Sequence, residues 1–198
     1  MAQKRRTELG MGNPLTRNLK PLAIPGKSQV PGETGDLAAG LYIVATPIGN
    51  ARDISLRALD VLKSCSVIAA EDTRVTAKLL AIHGIAKPMV PYNDHNGREM
   101  RPKLLARLER GEAVALVSDA GTPLVSDPGY KLAREAIAAG LSVVALPGAS
   151  AVLTGLALSG LPSDRFLFAG FLSAKAGERQ STLEELKAVR ATLIFFES

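Results

Sequence analysis

The sequence predicts an α/β fold: a mainly parallel five-stranded N-terminal sheet, followed by the start of a second α/β domain. Three observations predict it. From Leu41 onward, short apolar runs alternate with segments whose apolar residues recur at helical spacing. Most of the junctions between run and helix are built from glycine, proline and small polar residues. After Pro147-Gly148 the texture changes, first to small residues and then to phenylalanine-containing runs. Single helices between consecutive strands imply right-handed crossovers, and therefore a mainly parallel sheet.

Residues 41–45 (Leu-Tyr-Ile-Val-Ala) read as the first strand. Ser55 is a good N-cap for a helix running to Lys63, with Leu56, Leu59 and Leu62 along one face. Residues 67–70 form a second strand, and 76–82 a short helix closed by Gly84. Residues 89–92 are a weaker third strand, and 99–110 a helix stopped by Gly111. The run 113–117 is a fourth strand, apolar throughout as a buried parallel strand should be. Asp127 then reads as the N-cap, and Pro128 as the first position, of a helix whose apolar pattern spans 130–139 before Gly140. Residues 141–146 are the fifth strand. Beyond the boundary lie a helix over 149–158, a strand over 166–171, a helix over 181–189 and a strand over 192–196. Three regions follow: a basic, disordered leader over 1–39, an N-terminal α/β domain over 40–148, and a second α/β domain begun over 149–198. Two strands make a thin second layer, so that domain is expected to be cut short.

Composition narrows the chemistry. One cysteine, Cys65, excludes an internal disulfide framework and fits a reducing cytoplasm. With only His83 and His95 beside it, no cluster has zinc-ligand spacing, so no metal is expected. The net charge is +5, yet residues 1–39 hold six basic and three acidic residues, so the folded part is nearly neutral. A basic leader attracts polyanions, RNA included, although composition alone favours a solvated tail. It lacks the apolar core of a secretory signal. The uncharged run 141–162 is interrupted by Pro147-Gly148 and is better explained by a strand, a turn and a helix than by a membrane span.

Four strand-to-loop junctions carry the candidate site: 46–50, 71–74, 118–123 and 147–150. In a parallel sheet all four lie on one edge, where open α/β sheets bind ligands. The single glycine of 46–50 is not a dinucleotide fingerprint, and there is no phosphate-binding P-loop. Loops so poor in lysine suit a ligand held by backbone groups, such as a nucleoside. Glu71 and Asp72 with Arg74 read either as an acid/base pair or as a solvated turn. Their position after an apolar strand favours function. His95 follows the third strand on the same edge and is a further candidate, whereas His83 at a helix end before Gly84 reads as structural. Cys65 has nothing nearby to activate it and reads as a buried, inert thiol.

Five motifs together, 46–53, 71–74, 118–129, 147–151 and 168–172, resemble in order and spacing the bacterial 16S ribosomal RNA (cytidine-2′-O)-methyltransferases of the tetrapyrrole-methylase fold. The resemblance spans 41–198. It implies an S-adenosylmethionine enzyme of two α/β domains, a cytoplasmic homodimer, acting on a ribose in the decoding centre of the small ribosomal subunit. It places Pro47 and Gly49 beside the cofactor, Asp119, Ala120, Gly121 and Thr122 at its sugar or methionine end, and Pro147, Gly148, Ala149 and Ser150 as backbone contacts to the nucleoside. Ser173 stands where the family usually has proline, and the family's proline-histidine-arginine stretch would follow Ser198. Methyl transfer needs positioning and relief of one hydroxyl proton. Glu71, Asp72 and His95 are the candidates to assist, with Arg74 positioning a carboxylate or phosphate. Two rivals remain: a tetrapyrrole methyltransferase on the same fold, and a non-catalytic nucleotide- or RNA-binding module.

Overall fold

The computed structural model describes residues 37–197. The predicted leader lies almost wholly outside them. Of its last residues, Leu37 packs against the core and the Ala38 carbonyl accepts the Tyr42 hydroxyl at 2.8 Å.

Strands β1 (Gly40–Val44), β2 (Val67–Ala70), β3 (Met89–Pro91), β4 (Ala113–Val117) and β5 (Val143–Leu146) form one parallel sheet in the order β3-β2-β4-β1-β5. The intervening helices are α1 (Leu56–Ser64), α2 (Thr73–Ile82), α3 (Gly97–Glu109) and α4 (Tyr130–Ala138). Period-two alternation assigns each strand residue to a face. Tyr42 and Val44 pack with Ala58, Val61 and Leu62 of α1 and Leu80 of α2. Leu41 and Ile43 pack with Leu104 and Leu108 of α3 and Leu132 and Ala136 of α4. The chain leaving β1 and β2 therefore goes to one face, and the chain leaving β3 and β4 goes to the other. On both sides of β4 the neighbouring chain departs to the opposite face, which opens a crevice at the carboxyl end of β4.

Helix α5 (Ala151–Ser159), strand β6 (Phe166–Phe171), helix α6 (Ala176–Leu186) and strand β7 (Thr192–Phe196) follow. Strands β6 and β7 pair in parallel as a separate two-stranded sheet. Its register shifts between Phe168 and Phe171, where Gly170 has φ +72°. No described helix is long and apolar enough to cross a membrane.

Most strand limits coincide with the apolar runs; helix starts differ more. Helix α2 begins at Thr73 because the Asp72 carboxylate accepts the Arg74 N–H at 2.8 Å and caps it. Helix α5 begins at Ala151, with the Ser150 hydroxyl as its cap. Helix α6 starts five residues before the predicted 181, and β5 two residues after the predicted 141. The capping of α4 by Asp127 is not what forms. Gly129, at φ +124°, is the N-cap, no side chain caps the helix, and Pro128 lies outside it. A Cβ at Gly129 would come within 2.7 Å of Leu116 and Leu124 Cδ2, so tertiary packing against β4 fixes this turn.

Candidate functional site

Three loops are tied together at the crevice. The Thr46 N–H donates to the Gly121 carbonyl and the Gly121 N–H to the Thr46 carbonyl, both at 2.9 Å. The Thr46 hydroxyl donates to the Ser118 carbonyl at 3.0 Å, joining the ends of β1 and β4 a second time. The Thr122 hydroxyl donates to the Ala149 carbonyl at 2.9 Å and brings in the loop after β5. Gly148 lies so close to β1 that a Cβ would meet that of Ala45 at 2.7 Å. Gly121 turns at φ +83° beneath Ile48, where an L side chain would be strained.

These loops and β6–β7 line a groove of about 150 Å³. Of the residues expected to meet a cofactor, Ala120, Gly121, Thr122 and Ser150 line it. Asp119 turns toward the end of β2 instead, as its hydrogen bonds show. Ala149 contributes through its carbonyl, Gly148 sits against Ala45, and Pro47, Gly49 and Pro147 belong to the same loops without lining the groove. Sequence reasoning missed Ile48, Val125, Val152, Phe171 and Phe196 as lining residues. The signal for the two rings was present: phenylalanine recurs in both β6 and β7, and their rings stack edge-on at 5.3 Å.

At about 150 Å³ the groove takes part of a nucleoside or of its sulfonium, not the whole ligand. Its wall is apolar and aromatic, with Thr122, Ser150 and Asp127 as polar points, and an aromatic face tolerates a ligand cation.

Asp127 carries the groove toward a cluster of carboxylates. The Asp119 N–H donates to Glu71 Oε2 at 3.2 Å, and the Asp72 N–H donates to Asp119 Oδ1 at 3.0 Å. These reciprocal bonds lock the end of β2 to the end of β4. Desolvation pushes the Glu71 carboxyl above its ordinary range, and the negative charges of Asp127, Asp119 and Asp94 add to the rise. Asp119 is raised by partial desolvation and by Asp72; Asp127 is raised by burial and by Asp119. Asp72 behaves oppositely. The Arg74 guanidinium grips both its oxygens, at 3.0 and 2.6 Å, and holds it at about 2.

Glu71, Asp72 and Arg74 are thus brought together by the start of α2. His95 is not joined to them directly. It is exposed on the 92–97 turn, its N–H donating to Asn93 Oδ1 at 3.1 Å. Asn93 makes the link, its Nδ2 donating to the Glu71 carbonyl at 3.4 Å. His83 caps the end of α2 with Nε2 3.3 Å from the Ala51 carbonyl, a structural contact. Cys65 is fully buried, and burial pushes its thiol up, consistent with inertness. Among the described residues no group of histidine, cysteine or carboxylate side chains could hold a metal ion.

Comparison with known proteins adds three findings. A family model described as Tetrapyrrole (Corrin/Porphyrin) Methylases matches residues 40–198. The chain is 57% identical over 173 residues to the ribosomal RNA small subunit methyltransferase I of Mesorhizobium japonicum, covering 87% of this chain and 58% of that protein. It is 51% identical over 161 residues to the protein of the same name from Pseudomonas aeruginosa, covering 81% and 57%. The chain therefore spans less than three fifths of the length of these curated relatives. Among solved structures, diphthine synthase superposes with a TM-score of 0.63 at 21% identity over 79% of this chain and 63% of that one. Uroporphyrin-III-C-methyltransferase from Thermus thermophilus superposes with a TM-score of 0.52 at 25% identity over 68% and 60%.

Proposed function

The chain belongs to the tetrapyrrole (corrin/porphyrin) methylase family, and from that premise we propose that it serves S-adenosylmethionine-dependent 2′-O-methylation of a cytidine ribose in the decoding centre of small-subunit (16S) ribosomal RNA. The reading includes a homodimer working in the cytoplasm. Its support is twofold. The relatives with half or more of their aligned residues identical to this chain are named for small-subunit ribosomal RNA methylation. The carrying observation is structural: the groove between the loops after β1, β4 and β5 is lined by Asp127, a negative neighbour of the Glu71 carboxyl.

S-adenosylmethionine, when bound, supplies a methyl group already activated on sulfur. Ile48, Gly121, Thr122, Ser150, Phe171 and Phe196 would hold the nucleoside and exclude water from it. The remaining chemical need is to take a proton from a weakly acidic ribose hydroxyl. Glu71 is the better base of the adjacent pair, because a raised pKa gives its carboxylate more affinity for a proton. Asp72, held at about 2 by Arg74, is a poor base, and its place in the reading is to cap α2 and orient that arginine. Arg74 is exposed and positioned for a phosphate of the RNA. His95 stands as the second candidate for the proton.

The test is transfer of labelled methyl groups from S-adenosylmethionine to undermethylated small subunits, with uroporphyrinogen or precorrin as the competing acceptor and cofactor affinity measured by calorimetry. Transfer to the subunit supports the reading. Transfer to the macrocycle alone would move the chain to the tetrapyrrole branch, and absence of cofactor binding would leave an RNA-binding module.

A further inference from the structure

A second cavity, of about 310 Å³, opens on the other side of Asp127, between the first turn of α3 and the segment leading into α4. Asp127 lines both it and the methyl-transfer groove. That volume is at the small end of ligand sites and matches roughly one nucleotide. Its rim is cationic. Arg98 and Lys131 line it, and Arg134 stands one turn further along α4. Among the described residues none of these three is in an ion pair. The third lining cation, Arg101, has its Nε 2.9 Å from a Glu135 carboxylate oxygen as an ion pair, without a hydrogen bond.

Tyr130 is the second observation. It lines the cavity at the first position of α4 yet is 63% exposed, and the Arg134 guanidinium sits 5.7 Å from its ring centroid. An exposed ring flanked by unpaired cations, beside a nucleotide-sized cavity, is the arrangement that stacks an unpaired base and holds its phosphate. Asp94 and Asp127 also line it, so a phosphate is directed to Arg98 and Lys131 and the base edge to the carboxylates.

We infer that this α3–α4 cavity is a subsite for a nucleotide of the RNA strand flanking the one methylated, with its base stacked on Tyr130 and its phosphate held by Arg98 and Lys131. The inference rests on the proposed RNA methylation. The residues concerned lie outside the methyl-donor groove, so the two claims separate experimentally.

The experiment compares the full chain with Tyr130→Ala, Tyr130→Phe and the double variant Arg98→Ala/Lys131→Ala. Three quantities are read: affinity for a single-stranded RNA oligonucleotide over a range of salt, affinity for S-adenosylmethionine, and methyl transfer to small subunits. Tyr130→Ala is expected to weaken RNA binding by about thirtyfold, the middle of the range for loss of one stacked base, while Tyr130→Phe retains it. The double variant should flatten the salt dependence of log affinity by about 0.7 for each phosphate it no longer neutralises. Cofactor affinity should be unchanged in all three. RNA affinity equal to the parent in Tyr130→Ala and the double variant overturns the subsite, whatever the methyl-transfer result. Loss of methyl transfer to subunits with unchanged binding to naked RNA also overturns it, and assigns the surface to a ribosomal protein. Failure of the parent chain to methylate, with RNA binding still sensitive to Tyr130, overturns the proposed reaction and leaves the subsite standing.

Discussion

Three carboxyls meet at the ends of β2 and β4, and only their surroundings distinguish them from Asp72 beside them. Glu71, Asp119 and Asp127 are desolvated and close enough to repel one another, so each binds a proton more readily than an open carboxylate. Asp72 is neutralised by Arg74 and is driven the other way. This difference has two measurable consequences. Glu71→Gln should lower methyl transfer by about 10²- to 10⁴-fold, the usual weight of a general base, with S-adenosylmethionine affinity retained. Asp127→Asn removes a negative neighbour that raises Glu71, so the acid limb of the pH–rate profile should move to lower pH. The sign is fixed: a base works only above its pKa, and that pKa falls when a nearby negative charge is lost. A limb that stays in place or moves upward would rule out Glu71 as the titrating base. The sequence pointed to the 71–74 stretch, but not to which carboxyl is raised. That depends on Asp119 and Asp127, brought in from more than forty residues away.

At the scale of elements, most strands were legible, and of the helix starts chiefly that of α1, capped by Ser55 as expected, for one physical reason. A buried parallel strand must be apolar on both faces, so Val67–Ala70 and Ala113–Val117 show their limits in the run itself. A helix start is chosen by competition among nearby caps, and tertiary contacts decide it. Asp127-Pro128 has the local signature of a cap, yet no side chain caps α4 and Gly129 is pressed against Leu116. Gly129→Ala should therefore destabilise the protein by about 1–3 kcal/mol, as other overpacked sites do, with positive φ adding strain. Denaturant titration measures it. Gly148→Ala is expected to act differently. Its Cβ would meet Ala45 at 2.7 Å and push the 147–150 turn off β1, so cofactor affinity should fall more than stability does. Equal stability and cofactor affinity in Gly148→Ala would show that the turn does not shape the groove.

The whole molecule follows from strand order. With β4 at the centre and its neighbours leaving to the opposite face, the loop after β4 becomes the common wall of everything functional. Its first half, 118–122, is joined to β1 and β5 and helps line the groove proposed for the methyl donor. Its second half carries Asp127 and leads to the nucleotide-sized cavity at Tyr130. The motifs at four strand ends were readable in the sequence because a parallel sheet puts them on one edge. The aromatic contribution of Phe171 and Phe196 was not, because β6 and β7 form a sheet of their own and nothing local indicates what faces it. The central claim is that this edge transfers a methyl group to a ribose. The most direct measurement incubates the chain with undermethylated small subunits and isotope-labelled S-adenosylmethionine, then locates the label in the RNA by nuclease mapping and mass spectrometry. One label is expected, on the 2′ oxygen of a cytidine, forming about 10²- to 10⁴-fold more slowly with Glu71→Gln. Label on a base atom, or no label from the parent chain while the cofactor binds and the subunit is engaged, would contradict the claim.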